Sequence, residues 1–164
     1  MTVSLRPMLP ADGPLLADIY REAILGIGIE DYDEAQCEAW ASLADDEAAF
    51  AARLSGMLTL VALRDGEVAG FAALEKNATI AMLYVSPDHA GEGVATALVD
   101  ALEKLAAARG TEIIEASASD TALPLFQKRG YEPRQRSTTT IAGQWLANTH
   151  LTKRLAPAQA QRPS

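Results

Sequence analysis

Residues 84–110 read Tyr-Val-Ser-Pro-Asp-His-Ala-Gly-Glu-Gly-Val-Ala-Thr-Ala-Leu-Val-Asp-Ala-Leu-Glu-Lys-Leu-Ala-Ala-Ala-Arg-Gly. This stretch contains a strand end, a turn with two glycines and then apolar residues at helical spacing. The segment before it, 79–85, is mostly apolar and predicts a buried strand. A strand, a glycine turn and a helix in this order predict an anion site at the start of the helix.

Two physical properties of the helix start favour an anion. Its first backbone N–H groups have no partner within the helix, and the helix dipole adds positive potential there. Gly91 and Gly93 have no Cβ, so the chain can adopt left-handed dihedrals and a phosphate can approach the backbone closely. The turn lacks the lysine of a Walker motif and the third glycine of a dinucleotide fingerprint, which disfavours both nucleotide sites. The alternative is a tight turn that binds nothing.

The rest of the chain predicts one domain over residues 1–155. Asp65-Gly66 predicts a type I′ hairpin turn, because these residues tolerate positive φ. The predicted helices cover 14–24 and 45–54, and the predicted strands cover 3–6, 58–64, 67–75, 79–85, 112–118, 134–142 and 145–155. We expect Ser119 or Asp120 to cap a short helix that ends at Gly130. Residues 156–164, rich in Ala, Gln and Pro, predict a disordered tail.

Two blocks resemble the GNAT superfamily of N-acetyltransferases. Its acyl-CoA motif, Gln or Arg followed by two residues, Gly, one residue and Gly or Ala, falls on 90–95, where Ala90 replaces the Gln or Arg. The segment 119–131 is similar to the family's Asn-x-x-Ala-x-x-Phe-Tyr-x-x-x-Gly-Phe, with Ser119 at the Asn position and Phe126 at the Tyr position. The lead-in at 83–89 also resembles the end of the family's fourth strand.

The resemblance implies an α+β fold of α/β/α layers, with a mixed, mostly antiparallel sheet flanked by helices. It implies acetyl-CoA as co-substrate, bound where strands four and five splay apart, and direct transfer of the acetyl group to an amine. The cofactor-binding residues that it implies are Leu83, Tyr84, Val85, Ala90, Gly91, Glu92, Gly93, Val94, Ala95, Thr96, Ser119, Phe126 and Lys128.

The family's usual general base has no counterpart in this sequence. In many relatives it is an acid on strand four, at the positions of Thr79 and Ala81 here, and neither side chain can act as a base. Glu75, at the end of the preceding strand, is the candidate that we name. The acids Glu30, Asp31 and Asp33 are alternatives, and each of these carboxylates can equally be a surface charge.

The usual general acid is also replaced. Where relatives have a tyrosine this chain has Phe126, so Tyr84 and Tyr131 are the candidate proton donors by proximity in sequence. Both can instead be core residues, and Tyr131 matches a Phe in the family pattern, which favours packing. We expect Phe126 to pack along the pantetheine arm of the cofactor.

The net charge of −8 is unevenly distributed. Between Arg21 and Arg53 there are nine acidic residues and no basic ones, whereas from position 121 onward there are seven basic residues and one acidic residue. The family places its acceptor wall near this acidic segment, so Asp31, Tyr32 and Trp40 are predicted to bind the acceptor, a cationic amine. The alternative is that the acids form solvated helix faces. The acidic total disfavours nucleic acid as a partner.

The sequence predicts a cytoplasmic location and no membrane partner. Residues 1–13 contain no apolar signal region, and no run of 18 apolar residues occurs. Cys37 is the only cysteine, which excludes an intramolecular disulfide, and no Cys/His cluster suggests a metal site. Cys37 is interpreted as a packing residue.

Three functions remain open at this point. The first is an N-acetyltransferase acting on the primary amine of a small molecule. The second is a non-catalytic acyl-CoA-binding module with the same fold, and the third is an acetyltransferase acting on a protein N-terminus or lysine. A homodimer is compatible with each of them.

Overall fold

A computed structural model of the chain describes residues 3–156. The helices and strands in these residues follow one another along the chain as β1 (Val3–Pro7), α1 (Gly13–Gly26), α2 (Glu34–Ala41), α3 (Glu47–Ser55), β2 (Leu58–Arg64), β3 (Glu67–Glu75), β4 (Thr79–Val85), α4 (Val94–Ala108), β5 (Ile113–Ser119), α5 (Leu123–Lys128), β6 (Glu132–Ile141) and β7 (Gln144–Arg154). The predicted tail lies outside the described residues from position 157 onward.

The strands form one seven-stranded sheet in the order β1-β2-β3-β4-β5-β7-β6. Neighbouring strands are antiparallel, except that β4 and β5 are parallel. Helices α4 and α5 cover one face, and α1, α2 and α3 cover the other. This is the layered α+β fold with a mixed, mostly antiparallel sheet, and that prediction is confirmed.

The two faces of the sheet bury separate apolar cores, because side chains alternate along each strand. Leu98 and Leu102 of α4 are fully buried in the core on one face. Phe50 of α3 and Phe71 of β3 belong to the core on the other face, with ring centroids 6.3 Å apart. The sheet is thereby clamped between two helical layers.

Gly70 of β3 lets the start of α4 approach the centre of the sheet. A Cβ at this position would lie 2.7 Å from the carbonyl oxygen of Tyr84 and 3.2 Å from Cγ1 of Val94. The first distance is too short for any real Cβ and the neighbouring atom is backbone, so only glycine fits here. The N-terminus of α4 is therefore held against β4.

A β-bulge in β4 changes which side chains face each core. Ala73 pairs with Met82 and Leu74 pairs with Ile80, which leaves Ala81 as an extra residue opposite β3. An extra residue reverses the alternation of the strand. Ile80 accordingly belongs to the core beneath α4, whereas Met82 belongs to the core beneath α1, α2 and α3.

Strands β4 and β5 separate soon after they begin. Their parallel ladder consists of the pairs Thr79–Glu115 and Ile80–Ala116. Beyond these pairs β4 continues beside β3, and β5 continues beside β7. Within residues 3–156, no further ladder pairs join the facing edges of β4 and β5 beyond this point, so a ligand can satisfy backbone groups there.

Most of the predicted elements are confirmed. The hairpin of β2 and β3 has the predicted bounds, and its turn residues Asp65 and Gly66 have φ of 53° and 84°. Helix α2 was not predicted, because its eight residues carry little apolar periodicity. Within residues 3–156, no helix is both long and apolar enough to span a membrane.

The start of α5 differs from the prediction. The helix has Ala122 as its N-cap, and neither Ser119 nor Asp120 caps it. Ser119 Oγ instead accepts a hydrogen bond from the N–H of Ala122 at 3.2 Å, which closes a turn ahead of the helix. The predicted end is confirmed, since Gly130 has a φ of 92°.

Candidate active site

Two cavities open beside the split between β4 and β5. The larger has a volume of about 560 Å³ and lies towards the glycine turn and α4. The smaller has a volume of about 150 Å³ and lies towards α2 and the hairpin of β6 and β7. The residues common to both linings are Trp40, Leu83, Tyr84, Ser119 and Ala122. The cavities therefore meet at β4, where two ligands can come into contact.

The glycine turn forms a backbone wall of the larger cavity. Gly91 and Gly93 have φ of 77° and 84°, and a Cβ built on either glycine meets nothing within 4 Å. In the described part of the chain, α4 has neither a side-chain cap nor an acidic residue in its first turn. Its first N–H groups and its dipole are therefore available to an anion without a competing carboxylate. This arrangement fits a pyrophosphate.

Ion pairs hold the glycine turn in place. The Glu92 carboxylate lies 3.0 Å from Nε of Arg64 and 3.0 Å from Nδ1 of His89. Nε2 of His89 lies 3.3 Å from the Glu67 carboxylate. The hydrogen bond with Glu92, followed by that with Glu67, raises the pKa of His89 above its usual value. Glu92 was predicted to contact the cofactor, but its side chain serves this network and does not line the cavity.

Tyr84 stands where the two cavities meet. Its ring lies among Phe71, Tyr20 and Trp40, with centroid distances of 5.7, 4.6 and 6.1 Å. Burial raises the pKa of Tyr84 to about 12. The hydroxyl is therefore protonated at neutral pH, where it can donate a hydrogen bond but is a weak acid.

Contacts between distant segments close the smaller cavity. The Tyr32 hydroxyl donates to the carbonyl of Ala147 at 2.6 Å and accepts from the N–H of Asp120 at 2.8 Å. Nε2 of Gln36 donates to the carbonyl of Trp145 at 2.6 Å. These bonds join the region of α2 to β7 and to the turn after β5. Because its hydroxyl has both a donor and an acceptor partner, Tyr32 shapes the cavity.

The lining of the smaller cavity is mixed in polarity. Its apolar and aromatic side chains include Tyr32, Trp40, Met82, Ile141 and Leu146, and its polar ones include Ser117, Ser119, Thr139 and Asn148. Among the described residues that line it, none is Asp, Glu, Lys, Arg or His. The cavity therefore suits an uncharged ligand group.

Most of the predicted cofactor residues lie together. The lining of the larger cavity includes Leu83, Tyr84, Val85, Ala90, Gly91, Gly93, Val94, Ala95, Thr96 and Ser119. Phe126 instead lines the smaller cavity, and its ring centroid lies 5.0 Å from that of Tyr131. Lys128 is exposed and lines neither cavity. It lies two residues after the buried Phe126 on α5, which places it on the opposite face of the helix.

Two further predicted residues lie away from the cavities. Glu75 is exposed at the end of β3. Tyr84 pairs with Phe71 of β3, and Glu75 is four residues further along that strand, a distance of about 13 Å. It therefore does not reach the place where the cavities meet. Asp31 is exposed and is absent from both linings, and its carboxylate accepts a hydrogen bond at 2.9 Å from Oγ1 of Thr121, which lines the larger cavity.

Tyr131 and Cys37 have packing roles. The Tyr131 hydroxyl donates to Glu103 at 2.8 Å, and burial, followed by the charge of Glu103, raises its pKa. Tyr131 thus faces α4, which does not suit the alternative role of proton donor. Cys37 is buried, and burial raises the pKa of its thiol, which disfavours the nucleophilic thiolate.

Part of the acidic segment has structural partners. Asp33 and Asp46 are the N-caps of α2 and α3, where their side chains accept backbone hydrogen bonds. Glu47 lies 3.2 Å from the guanidinium of Arg21. For these three residues the contacts favour the alternative of helix caps and solvated faces.

Sequence reasoning missed the polar residues that complete the smaller cavity. Ser117 of β5, Thr139 of β6 and Asn148 of β7 line it. The Asn148 amide accepts from Oγ of Ser137 at 3.1 Å and donates to Oγ1 of Thr139 at 2.9 Å. The alternation of small apolar and polar residues in β5 was a usable signal for one polar face, but the sequence does not say which strands lie beside it.

Known proteins share this architecture. A family model described as an acetyltransferase (GNAT) domain matches residues 29–153. The chain is 27% identical over 149 residues to the uncharacterized N-acetyltransferase YafP of Escherichia coli (strain K12), covering 91% of this chain and 94% of the relative.

Solved structures include two similar enzymes. A GCN5-related N-acetyltransferase from Rhodopseudomonas palustris, described as an aminotransferase of class II, is 54% identical with a TM-score of 0.92, over 94% of this chain and 97% of that one. A GNAT superfamily phosphinothricin acetyltransferase from Sinorhizobium meliloti, solved in complex with acetyl-CoA, is 25% identical with a TM-score of 0.65, over 100% and 94% of the two chains.

Proposed function

The chain belongs to the GNAT acetyltransferases, and we propose that it transfers an acetyl group from acetyl-CoA directly to the primary amine of a small molecule. The observation that carries this proposal is the pair of cavities that meet at Trp40, Leu83, Tyr84, Ser119 and Ala122. Holding two reactants in contact removes much of the entropic barrier to a bimolecular reaction. No covalent enzyme intermediate is required.

The larger cavity is the proposed site for the co-substrate. When bound, acetyl-CoA supplies an activated thioester, and its pyrophosphate fits the open backbone at Gly91 and Gly93. The proposed contacts are the predicted residues that line this cavity, namely Leu83, Tyr84, Val85, Ala90, Gly91, Gly93, Val94, Ala95, Thr96 and Ser119. Glu92 and Lys128 are left out of the proposed set because their side chains do not line it. Phe126 is proposed to pack from the side of the smaller cavity.

The smaller cavity is the proposed site for the acceptor, with Tyr32 and Trp40 as its aromatic wall. A volume of about 150 Å³ is enough for the amine group of a small acceptor. An alkylamine has a reference pKa of ~10.4 and arrives as a cation. The exposed acids around Asp31 are proposed to attract that cation, and the uncharged lining then favours the neutral, nucleophilic amine.

The unpaired edge of β4 and the Tyr84 hydroxyl are the proposed chemical groups. Backbone N–H groups between Ala81 and Val85 can stabilise negative charge that develops on the thioester oxygen. Tyr84, with its pKa raised to about 12, is proposed to donate a hydrogen bond to the leaving sulfur without releasing its proton fully. A thiol with a reference pKa of ~8.5 is a good enough leaving group to need no more than that. We therefore expect Tyr84→Phe to lower kcat less than about tenfold, below the usual effect of an essential acid.

Thiol release from acetyl-CoA tests the proposal. Purified protein is assayed with a panel of primary alkylamines and benzylamine, and in parallel with peptides bearing a free N-terminus or lysine. Release with small amines supports the proposal. Binding of acetyl-CoA without release would indicate a non-catalytic module, and release with peptides alone would indicate a protein acetyltransferase.

We also propose that two copies associate through β6. This strand ends the sheet formed by residues 3–156, nine of its ten residues are exposed, and no described strand pairs with its outer edge. Light scattering of the purified protein measures the mass directly. A monomeric mass at micromolar concentration would contradict the association.

A further inference from the structure

The smaller cavity lacks a side chain that can take a proton from the acceptor amine. Its described lining contains no carboxylate and no imidazole, and its titratable groups are the hydroxyls of Tyr32 and Tyr84. Burial raises the pKa of both, so neither is a base near neutral pH. An ammonium ion must nevertheless lose a proton before its nitrogen can attack. A side chain that accepts this proton therefore has to lie just outside the lining of the smaller cavity.

A carboxylate and an imidazole lie together next to the apex of the split. Nε2 of His150 on β7 lies 3.3 Å from Oε1 of Glu115 on β5. The other oxygen of Glu115 accepts a hydrogen bond from Oγ1 of Thr79 at 3.3 Å. Thr79 and Glu115 form the first pair of the short ladder between β4 and β5. The pair thus lies where the two strands begin to diverge.

Ser117 connects this pair to the cavity. Ser117 lines the smaller cavity and lies directly opposite His150 in the ladder of β5 and β7. Directly opposed residues have Cβ atoms about 4.5–5.5 Å apart and share a face of the sheet. Glu115 shares that face too, because it is two residues from Ser117 on the same strand. The other face of β5, at Ala116 and Ala118, is buried beneath α4.

This inference rests on the proposed function. We propose that the His150–Glu115 pair takes a proton from the ammonium group of the acceptor through the Ser117 hydroxyl or a water beside it. With Nε2–H donated to Glu115, the lone pair of His150 Nδ1 takes the proton, and Glu115 stabilises the imidazolium. The amine nitrogen then forms a bond to the acetyl carbon, and the carbon–sulfur bond breaks. The nitrogen loses two of its three ammonium protons and keeps one in the amide: one of the two ends on the thiol, and the other passes from His150 to solvent.

The surroundings of His150 suit this role. Imidazole is the side chain best matched in general to proton exchange near neutral pH. His150 is 41% exposed, so it can return its proton to water. The charged group that the structure records in contact with it is Glu115 from β5; its partner on β6 is the uncharged Gln135, and the neighbouring Arg134 donates to Oγ1 of Thr152 and pairs with Glu132. The carboxylate in direct contact is therefore the one that stabilises the protonated ring.

The experiment compares His150→Gln, Glu115→Gln and His150→Ala with wild type, using the panel amine with the highest turnover. We expect His150→Gln to lower kcat about 10²-fold near pH 7 with the KM for acetyl-CoA unchanged, and Glu115→Gln to lower it less. The deficit should shrink towards pH ~10, where more of the amine is neutral. Added imidazole should restore part of the turnover of His150→Ala, which a purely structural role would not allow.

Glu112→Gln, at an exposed carboxylate just before β5, is the matched control and should keep wild-type kcat. Unchanged thermal stability and acetyl-CoA binding show that each variant is folded. If His150→Gln retains kcat and its pH profile, or if imidazole restores nothing, the relay is wrong while the proposed function stands. If none of the small amines makes the wild-type protein release thiol, the proposed function fails and this inference fails with it.

Discussion

The two cavities differ in how they are encoded. The wall of the larger one at the glycine turn comes from a single run of chain, in which β4, the turn and the start of α4 follow one another over residues 79–96. The smaller one is assembled from α2, β4, β5, β6 and β7, with hydrogen bonds that span more than 100 residues. The wall at the glycine turn uses backbone, whereas the smaller cavity uses side chains. A wall built from one continuous segment can be recognised as a sequence motif. A site built from side chains that are distant in sequence depends on which strands pair with one another, and the sequence does not show that.

The largest expected effect tests whether the backbone of the glycine turn binds acetyl-CoA in the larger cavity. Gly93→Val should abolish acetyl-CoA binding, because valine strains a φ of 84° and its side chain enters the space that the phosphate would occupy. Acetyl-CoA at 100 times its dissociation constant stabilises a protein that binds it by about 2.7 kcal/mol. A thermal shift titration should show that stabilisation in wild type and not in the variant.

Gly110→Val is the matched control. Gly110 has a φ of 89° and equally open surroundings, but it lies beyond the far end of α4. Its replacement should cause similar strain and leave the acetyl-CoA stabilisation intact. If Gly93→Val keeps the full ligand-induced shift, the backbone account of the larger cavity is wrong.

The next effect concerns the side chains that close the smaller cavity. Tyr32→Phe removes a hydroxyl that bonds the carbonyl of Ala147 and the N–H of Asp120, and should lower the free energy of unfolding by about 1–3 kcal/mol. The acceptor KM should rise while acetyl-CoA binding is unchanged. Urea denaturation and steady-state kinetics measure the two effects. Tyr20→Phe, which loses a longer hydrogen bond of 3.4 Å to the carbonyl of Trp40 and lies in neither cavity lining, should cost less, and an equal loss in both variants would argue against a specific role for Tyr32.

A smaller, pH-dependent effect sharpens the description of the glycine turn. The folded-state pKa of His89 is raised above its unfolded value of about 6.5, chiefly by Glu92 and then by Glu67. The stability that protonated His89 contributes is therefore fully present below pH ~6.5 and is lost as pH rises through the folded-state pKa. We expect at most about 1 kcal/mol. Urea denaturation of wild type and His89→Gln should give curves that differ at low pH and converge at high pH, and a constant difference would contradict the linkage.

The smallest effect tests the exposed acids around Asp31. If exposed acids attract a cationic acceptor, Asp31→Asn should raise the acceptor KM about twofold at low ionic strength and have no effect at high salt. Glu38→Gln, at another exposed acid on α2, is the control for a general change of net charge. If the acceptor KM of the wild-type protein does not depend on salt, the exposed acids around Asp31 form only a solvated face.

The extent of sequence prediction follows the same division. The β2–β3 hairpin, β4, the glycine turn and α4 were predictable because each depends on neighbours in sequence. Glu75 was selected for its place at a strand end, but the antiparallel pairing of β3 with β4 puts it at the wrong end of the sheet. His150 and Glu115 could not be selected, because their contact requires that β7 insert between β5 and β6.

The bulge at Ala81 has a practical consequence for redesign. Because one extra residue inverts the parity of β4, Met82 and Tyr84 face the acceptor side, whereas Leu83 and Val85 face α4. A library meant to change acceptor selectivity should therefore vary Met82, which lines only the smaller cavity, and leave Leu83, which lines the larger one as well, unchanged. Deleting Ala81 would make Ile80 and Met82 adjacent opposite Leu74 and Ala73, so a regular ladder would remove the bulge and keep each of these side chains on its present face.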